Sequence, residues 1–187
     1  MYKIFIDGQS GTTGLQIEQR LKQRQDIQLL EIPSLDRKDP RVKREAMQQA
    51  DISILCLPDD AAIEAAELDK DARIIDASTA HRIHRDWIYG LPELHPGQRE
   101  NIKNAHKVSN PGCYPTGFLT AITPLITSGL INKESMLCIN AVSGFSGGGK
   151  TMINTYSEAE LQNQRWPCRP YGLGLNHKHV PEMQVHA

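Results

Sequence analysis

The first 76 residues switch repeatedly between two hydrophobic periods. Tyr2 to Ile6 alternates and ends at Asp7-Gly8, the pattern of a strand. Thr13 to Gln23 sets Leu15, Ile17 and Leu21 largely on one side, with Glu18, Arg20 and Lys22 charged, and reads as a helix. A second strand, Ile27 to Ile32, stops at Pro33, and a helix begins near Pro40 and includes Arg41 to Ala50. Ile52 to Leu57 is a short apolar run closed by Pro58, as in a buried strand. Asp59 or Asp60 is expected to cap the helix Ala61 to Leu68, and Arg73 to Asp76 reads as a fourth strand. Such alternation builds a parallel sheet with helices on its faces and a ligand crevice beyond the carboxyl ends of the strands.

The regularity then fades. Ala77 to Gly97, with Pro92 and Pro96, reads as loop; a short helix follows near Arg99 to Ala105 and a strand at Lys107 to Ser109. After the turn Asn110-Pro111-Gly112, Cys113 opens a helix to about Ser128 that Gly129 ends. Ser135 to Ser143 is expected to be a strand running into Gly144-Phe145-Ser146-Gly147-Gly148-Gly149, and Thr151 to Gln162 a helix. With no repeat and no low-complexity tract, the best domain boundary is the 110–113 turn, giving residues 1–112 and 113–187.

Composition narrows the class. Of 187 residues, 39 % are hydrophobic and 23 % charged, which supports a buried core and excludes disorder and collagen. The balance of 21 basic against 22 acidic side chains gives no general attraction to nucleic acid or an anionic membrane. Gly117 to Ile131, the longest weakly polar stretch, falls short of the roughly 18 apolar residues of a membrane span. Without a charged-then-apolar leader, a cytoplasmic location is expected. Cys56, Cys113, Cys138 and Cys168 contain no C-x-x-C pair, so neither a disulfide framework nor a thiolate zinc site is expected, and no metal is.

Several motifs carry chemistry. Gly8-Gln9-Ser10-Gly11-Thr12-Thr13-Gly14 joins the first strand to the first helix, where glycines admit a pyrophosphate and the helix N-terminus offers N–H donors. Gly8, Ser10, Gly11, Thr12, Thr13 and Gly14 are therefore candidate dinucleotide contacts. Glu31 is placed to accept from a ribose hydroxyl, while Arg37 and Lys38 favour a 2′-phosphate, hence NADP over NAD. Gly144-x-x-x-x-Gly149-Lys150-Thr151 matches the P-loop pattern and offers a nucleotide-hydrolysing alternative, although no later strand ends in a magnesium-binding acid.

Cys113, after a Pro-Gly turn at a helix start, sits where N-terminal amides stabilise a thiolate, the address of a nucleophile. Cys56 and Cys138, in apolar runs, are expected to be core residues. His177-Lys178-His179 is the dense imidazole cluster of the chain. In a strand the two rings would share a side, and either suits an acid–base role beside Cys113 better than a metal site.

Together, Gly8-x-x-Gly11-x-x-Gly14, Asp76-Ala77-Ser78-Thr79-Ala80-His81-Arg82, Gly90-Leu91-Pro92-Glu93-Leu94, Ser109-Asn110-Pro111-Gly112-Cys113-Tyr114-Pro115-Thr116, Ser143-Gly144-x-Ser146-Gly147-Gly148-Gly149-Lys150 and His177-x-His179-x-Pro181-Glu182 resemble N-acetyl-gamma-glutamyl-phosphate reductase in its short (type 2) form. The related aspartate-semialdehyde dehydrogenase pattern has Asn before the cysteine, where this chain has Gly112. The resemblance implies a Rossmann-type NAD(P) domain followed by an α+β catalytic domain of the glyceraldehyde-3-phosphate and semialdehyde dehydrogenase type. It implies NADPH-dependent reduction of N-acetyl-gamma-glutamyl phosphate, with release of inorganic phosphate, through a Cys113 thioester, in arginine biosynthesis. His177 or His179 serves as the acid–base group, and Ser143, Gly144 and Gly147 lie near the cofactor. Lys150 is an anion contact, and Arg82 and Arg169 are candidates for the substrate carboxylate.

The family's members run to roughly 300 residues, longer than one ordinary domain. The chain is therefore expected to be C-terminally truncated, with residues 113–187 a partial catalytic domain and a homodimer or homotetramer the full-length state. The alternatives are an aspartate-semialdehyde-dehydrogenase-like reductase and a non-catalytic dinucleotide-binding relative.

Overall fold

The computed structural model describes residues 1–9, 12–162, 164 and 168–187, with the side chains of residues 12, 15, 150 and 161 left out. The structure begins with β1 (Tyr2–Asp7), α1 (Thr12–Lys22), β2 (Ile27–Leu30), α2 (Pro40–Gln49), β3 (Ile52–Leu55), α3 (Asp59–Glu67) and β4 (Ile74–Asp76). Next come β5 (Ile88–Tyr89), α4 (Gln98–Asn104), β6 (Lys107–Ser109), α5 (Cys113–Thr127), a 3₁₀ turn (Phe145–Gly148), α6 (Gly149–Leu161) and α7 (Val180–His186). The strands form a wholly parallel sheet in the order β2-β1-β3-β4-β6-β5.

This is the α/β architecture that the alternating periods predict. The chain passes from β1 to β2 on one side, then crosses to β3 on the other, so order reverses between β1 and β3, where such sheets bind ligands. Phe5, Met47, Leu55, Ala65, Ala66, Ile74 and Trp87 fill the core between the sheet and helices α2 and α3. A smaller cluster, Tyr89, Leu91 and Leu119, packed by Phe118 and Ala187, ties the sheet edge to α5 and the end of α7.

Four expectations need correction. Ser135 to Ser143 is not a strand: among the described residues nothing lies alongside to pair with its backbone, and Met136, Leu137, Ile139 and Val142 are exposed. Alternation supplied the extended preference, but a strand also needs a neighbour. Cys138 is accordingly exposed rather than core, and Cys56 is only half-buried. Asp59 and Asp60 do not cap α3, whose N-cap is Pro58; Asp59 instead accepts from the backbone N–H (2.8 Å) and hydroxyl of Thr79. Finally, β5 lies inside the stretch read as loop, because two residues carry no period.

Candidate active site

Beyond the carboxyl ends of β1 and β3 opens a cleft of about 670 Å³. One wall is a face of α1 (Thr13, Gln16, Ile17, Arg20), the floor is Cys56, Leu57, Pro58 and Ala77, and the opposite wall is Ser146, Gly147 and Gly149. Gly8 turns the chain out of β1 at φ 88°, and a Cβ there would stand 2.2 Å from the Cys56 carbonyl oxygen. At Gly14 a Cβ would stand 2.4 Å from the Gly8 oxygen, so this turn closes only with glycine at both positions. The first turn of α1 holds no acidic residue, leaving its positive end free for an anion.

Of the predicted dinucleotide contacts, Gly8, Thr13 and Gly14 form this turn. Ser10, Gly11 and the Thr12 side chain lie outside the described residues. Arg37 reaches the same turn, donating to Gln9 at 3.3 Å, whereas Glu31 lies 3.7 Å from Lys22. Gly147 lines the far wall; Gly144 and Ser143 precede it, the Ser143 and Tyr114 hydroxyls being 2.8 Å apart. The Gly144 to Gly149 loop follows no strand among the described residues, so it lacks the sheet-anchored setting of a P-loop; the Lys150 side chain lies outside them.

A second constellation forms where α5 begins. Gly112 is the N-cap of α5 and exposed Cys113 its first residue. The Gly112 backbone is held at both its polar groups: its N–H donates to Glu182 Oε1 (2.7 Å), and its carbonyl accepts from the Thr116 backbone N–H (2.9 Å) and hydroxyl (2.8 Å). A Cβ on residue 112 would fall 2.7 Å from Arg82 Nη1 and 2.8 Å from both Glu182 Oε2 and His179 Nε2. The space a side chain would take is thus filled by a guanidinium, a carboxylate and an imidazole.

Glu182 is 2 % exposed yet well paired. Besides Gly112 it accepts from the Tyr89 hydroxyl (2.6 Å) and Arg82 Nη1 (3.2 Å), while Arg82 Nη2 donates to the Ala77 carbonyl (3.0 Å). Burial and the Glu182 carboxylate push the Tyr89 phenol well above its usual range. Arg82, a candidate for the substrate carboxylate, is thus already paired with the Glu182 carboxylate, and Arg169 is in an exposed loop. Beneath it, the buried Asp76 carboxylate accepts from Ser78 N–H (2.9 Å) and hydroxyl (2.6 Å) and contacts His81 Nδ1 at 2.7 Å, with the His81 ring stacked on Trp87.

The two candidate histidines lie on a turn and a helix start, not in a strand, yet their ring centroids are 4.6 Å apart and both meet the edge of Tyr114. His177 Nδ1 accepts from the His179 backbone N–H (3.2 Å), which leaves Nε2 to donate to the Tyr171 hydroxyl (3.1 Å). Both nitrogens of His177 are engaged. His179 is buried with Nε2 beside Gly112; burial, reinforced by Arg82, pushes its imidazole down to about 4, so it is neutral at pH 7. Sequence reasoning missed the Glu182 and Tyr89 contacts that build this site, since hydrogen bonds spanning 70 and 93 residues leave no local pattern.

Known proteins bear on this arrangement. The NAD binding domain model of semialdehyde dehydrogenase matches residues 3–105, and the semialdehyde dehydrogenase dimerisation domain model matches residues 113–187. Proteins named N-acetyl-gamma-glutamyl-phosphate reductase are similar over nearly the whole chain. That of Trichormus variabilis is 51 % identical over 99 % of this chain and 59 % of its own length; that of Burkholderia cenocepacia is 47 % identical over 98 % and 59 %. The chain thus spans about three-fifths of the length of these curated relatives.

Among solved structures, aspartate semialdehyde dehydrogenase II from Vibrio cholerae shares the fold at TM-score 0.61 and 17 % identity, over 100 % of this chain and 66 % of that one. The Francisella tularensis aspartate semialdehyde dehydrogenase does so at 0.60 and 16 %, over 97 % and 55 %. The parallel sheet with its glycine turn, the cysteine-headed helix and the matched models together make this chain a member of the semialdehyde dehydrogenase family.

Proposed function

We propose that this chain carries the cofactor seat and the nucleophile of an NADPH-dependent reductase that converts N-acetyl-gamma-glutamyl phosphate to N-acetyl-L-glutamate 5-semialdehyde with release of phosphate, in arginine biosynthesis. The observation that carries it is the seat at Gly112, where His179 Nε2 approaches the backbone next to Cys113. An asparagine before the cysteine, the aspartate-semialdehyde pattern, finds no room here, which favours the acetylglutamyl substrate class. Residues 1–112 act as the dinucleotide unit and residues 113–187 as the substrate unit of a homodimer or homotetramer.

The turn from Gly8 through Ser10, Gly11, Thr12 and Thr13 to Gly14 holds the pyrophosphate at the α1 N-terminus, in a cleft whose size and positive helix end suit it. Arg37 faces the 2′-phosphate, and Ser143, Gly144 and Gly147 border the cofactor from the other wall. When bound, the dinucleotide supplies hydride to the thioester carbonyl.

Neutral His179 removes the Cys113 proton, the sulfur attacks the acyl carbon, and the carbon–oxygen bond to phosphate breaks. His179 passes that proton to the departing phosphate. After reduction, the N-terminal amides of α5 face the thiohemiacetal oxyanion. Collapse of that oxyanion expels the Cys113 thiolate and frees the aldehyde. His177, with both ring nitrogens engaged, orients His179 through its backbone N–H.

The reverse reaction tests this reading. NADP reduction should require both N-acetylglutamate semialdehyde and inorganic phosphate and should vanish in Cys113→Ser. Phosphate-independent turnover, or an active serine variant, overturns it.

A further inference from the structure

We infer that Glu182 is a positioning residue for the Cys113 nucleophile, acting through the Gly112 peptide rather than through the reacting atoms. This rests on the reading of Cys113 as nucleophile. In α7, His179 is the N-cap and Glu182 the third helical residue. A glutamate there ordinarily turns back to cap the first residues of its own helix. In this chain the His179 N–H goes to His177 Nδ1, and Glu182 reaches across to the start of α5 instead.

Each Glu182 oxygen has a defined task. Oε1 accepts from the Gly112 N–H (2.7 Å) and the Tyr89 hydroxyl (2.6 Å), and Oε2 accepts from Arg82 Nη1 (3.2 Å). One side chain therefore joins three segments, namely the loop after β4, the β5 edge and the N-cap of α5, to the helix that begins at His179. A carboxylate buried in this way is costly unless its partners are fixed, and here the partners are the residue before the nucleophile and a buried guanidinium. Because Thr116 holds the carbonyl of the same residue, at the peptide that leads into Cys113, the direction in which α5 presents its first N–H groups and the Cys113 side chain is set by Glu182 and Thr116 together. The absent Cβ of Gly112 completes the seat by letting His179 Nε2 and Glu182 approach one backbone atom.

The charged and titratable groups facing this seat are Arg82, Glu182, His177, Lys178, His179 and Tyr89.

The test is alkylation of Cys113 by iodoacetamide at neutral pH, followed by peptide mass spectrometry in Glu182→Ala and Glu182→Gln. It needs neither substrate nor cofactor, so its failure is distinguishable from failure of the reductase reading. A glutamine keeps an acceptor for the Gly112 N–H. Cys113 alkylation is expected to slow about tenfold in E182A and to stay within about threefold of the parent in E182Q, the scale on which a misplaced reacting group loses rate. Half-buried Cys56 serves as an internal reporter of unfolding. An E182A rate within about twofold of the parent, with Cys56 unreactive, overturns the proposal. If Cys56 becomes reactive in E182A, the decision passes to Glu182→Asp, which keeps the charge but withdraws it by one methylene. The same slowing is then expected, and an unchanged rate overturns the proposal.

Discussion

Gly112 has no space for even one methyl group, since a Cβ would sit 2.7–2.8 Å from Arg82, Glu182 and His179 atoms. Gly112→Ala is expected to displace His179 and the start of α5 and to lower kcat about 100-fold, measured against a far smaller change in the melting temperature. His179 makes a second prediction at this scale. Its folded pKa lies near 4, below the 6.5 of an exposed imidazole, so the unfolded chain binds the extra proton between those values. Unfolding free energy should therefore rise with pH through that window and level off above it, and His179→Gln should flatten the slope in a series of thermal melts. The place of Cys113 at the head of a helix was legible in the sequence because a Pro-Gly turn followed by a helix is a local signal. The different hydrogen bonding of His177 and His179 was not, because it depends on how the folded chain engages each ring nitrogen.

Among the elements, the strands and helices of residues 1–76 followed the sequence closely, since buried parallel strands and amphipathic helices announce themselves by period. The two-residue β5 was not legible, and Ser135 to Ser143 was misread for lack of a pairing neighbour. The element that links sheet to site is the β4 end, where Asp76 fixes the loop carrying His81 and Arg82. Asp76→Ala strands buried donors on Ser78 and exposes His81 to the same loss. It should lower stability by about 3 kcal/mol in denaturant titration. Leu55, 0 % exposed in β3, tests the core independently of the site: Leu55→Ala should cost about 3 kcal/mol without altering the Cys113 alkylation rate.

For the whole molecule, two regions meet where Glu182, Arg82, Tyr89 and His186 cross between them, and His186 adds a stack on Tyr89 and a 2.7 Å contact with the Arg82 carbonyl. Family membership and the fold class were readable from ordered motifs, whereas this crossing was not, because its partners lie about a hundred residues apart. The homo-oligomer reading concerns the full-length protein and predicts that it sediments above the mass of one subunit at micromolar concentration; a full-length monomer at every concentration contradicts it. The central claim is that Cys113 takes the acyl group from an acyl phosphate. Mixing the chain with N-acetyl-gamma-glutamyl phosphate in the absence of NADPH should release a stoichiometric burst of phosphate and leave the acyl group on the Cys113 peptide, as read by mass spectrometry. An unmodified Cys113 peptide, or equal acylation of the exposed Cys138 and Cys168, would contradict the account.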